Sequence, residues 1–83
     1  MTHALKCLPR FFKVIVSGDK TFEVRKADRQ FNSGDKLLLQ EWSEETGYTG
    51  EEWEGSISYT MGDPEYVKKG YIVFGIKQKE CYS

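Results

Sequence analysis

The feature that most constrains this chain is its rhythm of short β-prone runs broken by turn residues. Thr21 to Lys26 reads as a strand, and Asn32-Ser33-Gly34-Asp35 as a turn cluster. "KLLLQEW" (Lys36 to Trp42) follows, with Leu37, Leu38 and Leu39 placing apolar groups on both faces, so its middle is expected to be covered on both sides. "SEETGYTGEE" reads as a loop, and "WEGSISYTM" (Trp53 to Met61) as a half-buried strand alternating through Trp53, Gly55, Ile57, Tyr59 and Met61. Gly62-Asp63-Pro64 turns, Glu65 to Lys69 has room for one helical turn, and "GYIVFGI" (Gly70 to Ile76) closes the series as a buried strand. With His3 to Cys7 as a weakly alternating first strand, about five short strands imply a small barrel or sandwich.

One segment resists this reading. Between Pro9 and Ser17, Pro9 suits a first helical turn, Phe11, Phe12 and Ile15 share a helical face, and Gly18 suits a helix end. Val14-Ile15-Val16 is β-branched, however, and "FKVIV" with "TFEVR" would also make a hairpin around Ser17-Gly18-Asp19. Pattern alone leaves both open.

The 83 residues suffice for one domain, read here as spanning 1–83. A domain of this size has a thin core, to which the 14% aromatic content contributes. Its apolar runs are too short to span a bilayer, and Met1-Thr2-His3-Ala4 runs straight toward Lys6 without a leader pattern. The expectation is a soluble, cytoplasmic protein that interacts with no membrane. Cys7 and Cys81 do not make a disulfide framework, and with the single His3 they lack zinc-ligand spacing. No metal or cofactor is expected, and the cysteines read as reduced thiols, one buried and one near the C-terminus.

Net charge is −1, but the charges are segregated. Residues 1–36 carry eight Lys/Arg and four Asp/Glu. Residues 37–67 carry eight acids and no Lys or Arg, and residues 68–83 carry four Lys and one Glu. Such a chain can present a basic and an acidic face, unless folding interleaves them.

The stretch "GDKTFEVR" concentrates the functional question. On a strand, Phe22 and Val24 share one face with Lys20, while Thr21, Glu23 and Arg25 share the other. Burial of Phe22 and Val24 is expected, with Glu23 and Arg25 on the face open to water or to a ligand. In water, a Glu–Arg pair is worth at most about 1 kcal/mol and carries no functional meaning. In a cleft, a carboxylate can hold Arg25 extended toward a phosphate or carbonyl, or can itself accept from a base. Lys20 follows a glycine bend and can bring a point charge to an anion. Lys6, Arg10, Lys13, Lys26 and Arg29 can extend a basic surface. Trp42, Tyr48 and Trp53 flank the acidic stretch as either core or stacking residues, and His3 reads as either incidental or a hydrogen-bonding group at the cleft rim.

"GDKTFEVR" resembles the signature of ASCH domains, a branch of the PUA-like superfamily: Gly-x-Lys-x-x-Glu-x-Arg, matched by Gly18, Lys20, Glu23 and Arg25. The wider run from His3 to Trp42 and the following Tyr48-Thr49-Gly50 look like compact ASCH-like proteins of bacteria and phages. The resemblance implies an α+β fold, mainly β: a small PUA-like barrel of five to six strands with a helix between strands 1 and 2. That favours a helix at Pro9–Ser17. It also implies a helix–barrel cleft binding RNA or a modified nucleotide, with Lys20, Glu23, Arg25, Lys6, Arg29 and Tyr48 as candidate ligand-binding residues. A related enzyme group hydrolyses N4-acetylcytidine through a Lys-activated Thr, and here Glu23 stands at that nucleophile position. The enzyme reading is accordingly disfavoured. A third alternative is a protein-interaction module using the acidic Glu41–Glu54 stretch.

Overall fold

The computed structural model describes residues 1–80, so Cys81 lies outside the described residues. The order of elements is β1 (Thr2–Cys7), α1 (Pro9–Val16), β2 (Phe22–Lys26), β3 (Lys36–Ser43), β4 (Gly47–Met61) and β5 (Tyr71–Gln78). The fold is mainly β with one short helix, and that helix stands between the first two strands.

α1 forms despite its β-branched tail. Pro9 opens it, where a missing N–H costs nothing, and the Leu8 carbonyl accepts from the Phe11 and Phe12 N–H groups. Phe12 and Ile15, three residues apart, bury the same face. Propensity differences of about 0.7 kcal/mol or less per residue are small beside about 1.5–3 kcal/mol for burying each such side chain. Gly18, at φ 87°, ends the helix in the left-handed region, and the Lys20 N–H folds back onto the Val14 carbonyl at 2.9 Å. No hairpin forms here, because β2 pairs with β5.

The sheet order is β1-β3-β4-β5-β2. β1 lies parallel to β3, and the other three pairings are antiparallel. The chain therefore runs from one sheet edge, through α1, to the opposite edge, and returns to place β3 beside β1. A side chain of β2 nevertheless hydrogen-bonds the backbone of β1: Arg25 Nη2 donates to the Lys6 carbonyl at 2.8 Å. The sheet is thus curled into a half-barrel, with its two edges facing each other across an open seam. Bulges between Gln40 and Trp42 and between Ile57 and Tyr59 add the local twist that curling requires.

The core joins Leu5, Cys7, Phe12, Ile15, Phe31, Leu37, Leu39, Trp53, Ile57, Phe74 and Ile76. His3 belongs with it and is not incidental. Its ring is buried 4.7 Å from that of Phe31, and its Nε2 lies 2.8 Å from Asp35 Oδ2. The Asn32 N–H also donates to that carboxylate, at 3.0 Å. These two hydrogen bonds, in that order, hold the Asp35 carboxyl below its ordinary value. Since an ionised carboxylate only accepts, His3 Nε2 is the donor in this bond.

Several expectations are corrected. Phe22 and Val24 are not buried: they are 47% and 52% exposed, while Glu23 is only 3% exposed. The alternation is real, but its phase is inverted, because β2 turns its charged row toward the interior. The acidic stretch is mostly the β3–β4 hairpin: Gly47–Glu52 belongs to β4, and Glu44–Thr46 makes the tip. Tyr59 points outward, since the bulge after Ile57 breaks the alternation. Leu38 is only half-buried between the buried Leu37 and Leu39. Glu65–Lys69 forms no helix, but one helical turn stands at its start, where the Tyr66 and Val67 N–H groups both donate to the Asp63 carbonyl. No helix among the described residues is long and apolar enough to cross a membrane.

Candidate functional site

The site is organised by the open edge of β2. The Ile76 N–H donates to the Thr21 carbonyl at 3.0 Å, and the Ala27 N–H to the Gly70 carbonyl at 2.9 Å. Odd-numbered residues therefore turn their backbone groups to β5. In an antiparallel ladder the alternate residues, Phe22, Val24 and Lys26, turn theirs away, toward the seam. Edge strands exposing such groups beside apolar side chains are ready to pair with something.

Inside the seam, Glu23 is the hub. Lys20 Nζ donates to Oε1 at 3.1 Å, and Arg25 Nε donates to Oε2 at 2.7 Å. Arg25 Nη2 also lies 2.7 Å from Oε2 while donating to the Lys6 carbonyl. One buried carboxylate thus holds two cations whose side chains are 17% and 24% exposed. This is a desolvated three-member network rather than a solvated charge row, and its geometry is fixed by hydrogen bonds at both ends.

A cleft of about 430 Å³ opens over this network, lined by Lys6, Cys7, Leu8, Phe11, Lys20, Phe22, Glu23, Val24 and Arg25. Lys20 could not join it as a regular strand residue of its parity. It precedes β2, and its backbone bond to Val14 directs it between the Phe11 and Phe22 rings, 4.3 Å and 5.3 Å from their centroids. On the opposite wall, Lys6 Nζ sits 4.3 Å from the Trp42 ring centroid and 5.9 Å from that of Tyr48. Tyr48 is 56% exposed and Trp42 half-buried, whereas Trp53 belongs to the core. Cys7 also lines the cleft. Burial, reinforced by the Glu23 carboxylate, pushes its thiol up to about 11, so it stays protonated at neutral pH.

Of the candidate residues, Lys20, Glu23, Arg25 and Lys6 share this cleft, and Tyr48 adjoins it through Lys6. Arg29 does not. It borders a second cleft with Leu5, Val24, Arg25, Lys26, Asp28, Phe31 and Tyr71. The apolar lining from Leu8, Phe11, Phe22 and Val24 was missed in the sequence, where Phe22 and Val24 read as buried. Among the described residues, no group of three His, Cys, Asp or Glu side chains could hold a metal ion.

Residues 2–76 match the family model described as Domain of unknown function (DUF3850). The chain belongs to that family. It is also similar to a protein of Escherichia phage P2, described as an uncharacterized 12.9 kDa protein in the GpA 3′ region. The two are 36% identical over 56 residues, covering 68% of this chain and 50% of the phage protein. The chain therefore aligns with about half the length of that relative.

Proposed function

We propose that this DUF3850 chain is a PUA-like, ASCH-type module that binds RNA or a modified nucleotide in the cleft between α1 and β2. The observation that carries the reading is the composition of that cleft: three cations and one carboxylate line it, Glu23 holds Lys20 and Arg25 in place, and Lys20 lies against the exposed rings of Phe11 and Phe22. A flat base needs an apolar or aromatic surface and a few fixed polar groups. A phosphate needs cations whose charge is not fully neutralised. Glu23 balances one charge of the Lys20–Arg25 pair, and Lys6 adds another, so the cleft stays net positive. The unpaired Phe22 and Val24 backbone groups can read the edge of a base. Glu23 positions the two cations and so makes the row more than a surface pair.

The amide-hydrolase alternative draws no support from this cleft. Glu23 is committed to two cations, and Thr21, the nearby hydroxyl, is exposed and does not line it. Titration of nucleoside monophosphates and short RNAs, followed by the fluorescence of added nucleotide analogues, tests the proposal. Lys20→Ala should weaken binding at least about tenfold, as loss of a charged hydrogen bond does. Absence of binding by wild type, or unchanged binding in Lys20→Ala and Lys6→Ala, would overturn it.

A further inference from the structure

The seam does not end at the first cleft. A second cleft of about 360 Å³ is lined by Leu5, Val24, Arg25, Lys26, Asp28, Arg29, Phe31 and Tyr71. Val24 and Arg25 line both. The two clefts therefore lie on either side of one ridge, the Arg25 side chain crossing from β2 to the Lys6 carbonyl of β1.

The second cleft repeats the chemistry of the first. Its cations are Arg25, Lys26 and Arg29, set against the single carboxylate of Asp28. The Asp28–Arg29 contact is 3.8 Å long between side chains 70% and 47% exposed, too loose and too wet to neutralise Arg29. The Arg29 guanidinium lies 5.9 Å from the Phe31 ring centroid, and Lys68 Nζ lies 5.3 Å from that of Tyr71. Together the clefts are lined by five cations and two carboxylates. The ridge between them carries the 52% exposed Val24, whose backbone N–H and C=O face the seam.

A mononucleotide fills one such cleft and leaves the other's charge and apolar surface uncovered. We infer that the seam takes a phosphodiester-linked single strand of at least two nucleotides. One nucleotide lies in each cleft, and the linking phosphate passes over the Arg25 ridge toward Lys26 and Arg29. This inference rests on the proposed nucleotide-binding reading and specifies its ligand class. Both RNA and DNA present this chemistry, so the test carries both.

The experiment compares nucleoside 5′-monophosphates with tetranucleotides of RNA and of DNA, titrated against the same chain at several salt concentrations. A tetranucleotide of at least one type should bind at least about tenfold tighter than the monophosphate. The double variant Lys26→Ala/Arg29→Ala should erase most of that gain and weaken monophosphate binding far less than tetranucleotide binding. Its log–log salt slope should fall by about 0.7 for each phosphate it no longer neutralises, a change that loss of folding does not produce. Both residues are exposed, so its melting temperature should stay close to wild type. A control, Lys36→Ala/Lys79→Ala, removes two cations from a different cleft beside Thr2, Leu38 and Ser56. An equal weakening in that control would reduce the effect to overall charge and overturn the inference. So would tetranucleotides no tighter than monophosphates, or a double variant that weakens both ligands alike. In those cases binding sensitive to Lys20 would leave the single-cleft reading standing. Absence of all binding would remove both.

Discussion

Replacing Glu23 by Gln should destabilise the fold far more than a surface charge substitution does. The side chain is 3% exposed, and its two oxygens accept from Lys20 at 3.1 Å and from Arg25 at 2.7 Å. Gln has the same shape but offers one carbonyl oxygen, so one cation faces an amide N–H₂ instead of an acceptor. Removing one member of a buried ion pair costs about 3–5 kcal/mol, because the partner's charge stays desolvated. One retained acceptor and the partial exposure of Lys20 and Arg25 lower this to about 2–4 kcal/mol. A domain of this size has a total stability of roughly 4–12 kcal/mol, at about 0.05–0.15 kcal/mol per residue. The melting temperature should then fall by roughly 8–30 °C, at about 4–8 °C per kcal/mol. Circular dichroism melts with matched urea titrations read this directly. Since the network is desolvated, added salt should rescue little of the loss. Adding Lys20→Met to the Gln variant should recover about 1–2 kcal/mol, because it removes the unmatched donor. A shift below about 3 °C in Glu23→Gln would refute the reasoning and return the network to the status of a surface ion pair.

Three further outcomes follow from other parts of the molecule. Gly55→Ala should cost about 1–3 kcal/mol in a urea titration, because a Cβ there would run into the Lys77 carbonyl and the Trp53 ring. In a Cys81→Ser background, Cys7 should react with a thiol reagent slowly in the folded state at neutral pH and quickly once unfolded. Its raised value of about 11 also means the native state holds the proton longer than the unfolded chain, so stability should decline with pH above about 9. Asp35 has the opposite sign. Its lowered value means the unfolded state binds the proton first, so its contribution is complete above the ordinary carboxylate range and is lost as pH falls through the native value. Asp35→Asn should lower the melting temperature at neutral pH and flatten the acid limb of the stability curve.

The elements of this fold were largely legible, but their facing was not. Turn residues marked Asn32–Asp35 and Gly62–Pro64, and the β-prone runs between such marks became β2 to β5. What pattern could not supply was a strand whose inward face is charged. Alternation fixes which residues share a face but not which face is buried, and the usual assumption that Phe22 and Val24 go inside fails where a carboxylate is already matched by two cations. The partner of His3 was not legible for a similar reason: Asp35 is 32 residues away, and only the parallel pairing of β1 with β3 brings them together. The helix stayed open because β-branched propensity and amphipathic spacing pointed in different directions over the same eight residues. The two clefts lie on the open seam between β1 and β2, strands that do not pair in the sheet.

That seam also gives the charged row a structural role, without accounting for all of it. A half-barrel this small leaves two sheet edges facing each other, and Arg25 ties them by bonding the Lys6 carbonyl while Glu23 fixes its other end. An apolar bridge could not satisfy that carbonyl, and an unbraced arginine would lose rotamer freedom each time it reached across. The carboxylate therefore serves stability. Yet a network made only for closure would be expected to hide its cations and its edge, as covered sheet edges do. Here Lys20 and Arg25 remain partly exposed, and Phe11, Phe22 and Val24 surround them in the open. The exposed apolar rim is the feature that closure does not require, and it is the part of the seam a stacked base would cover.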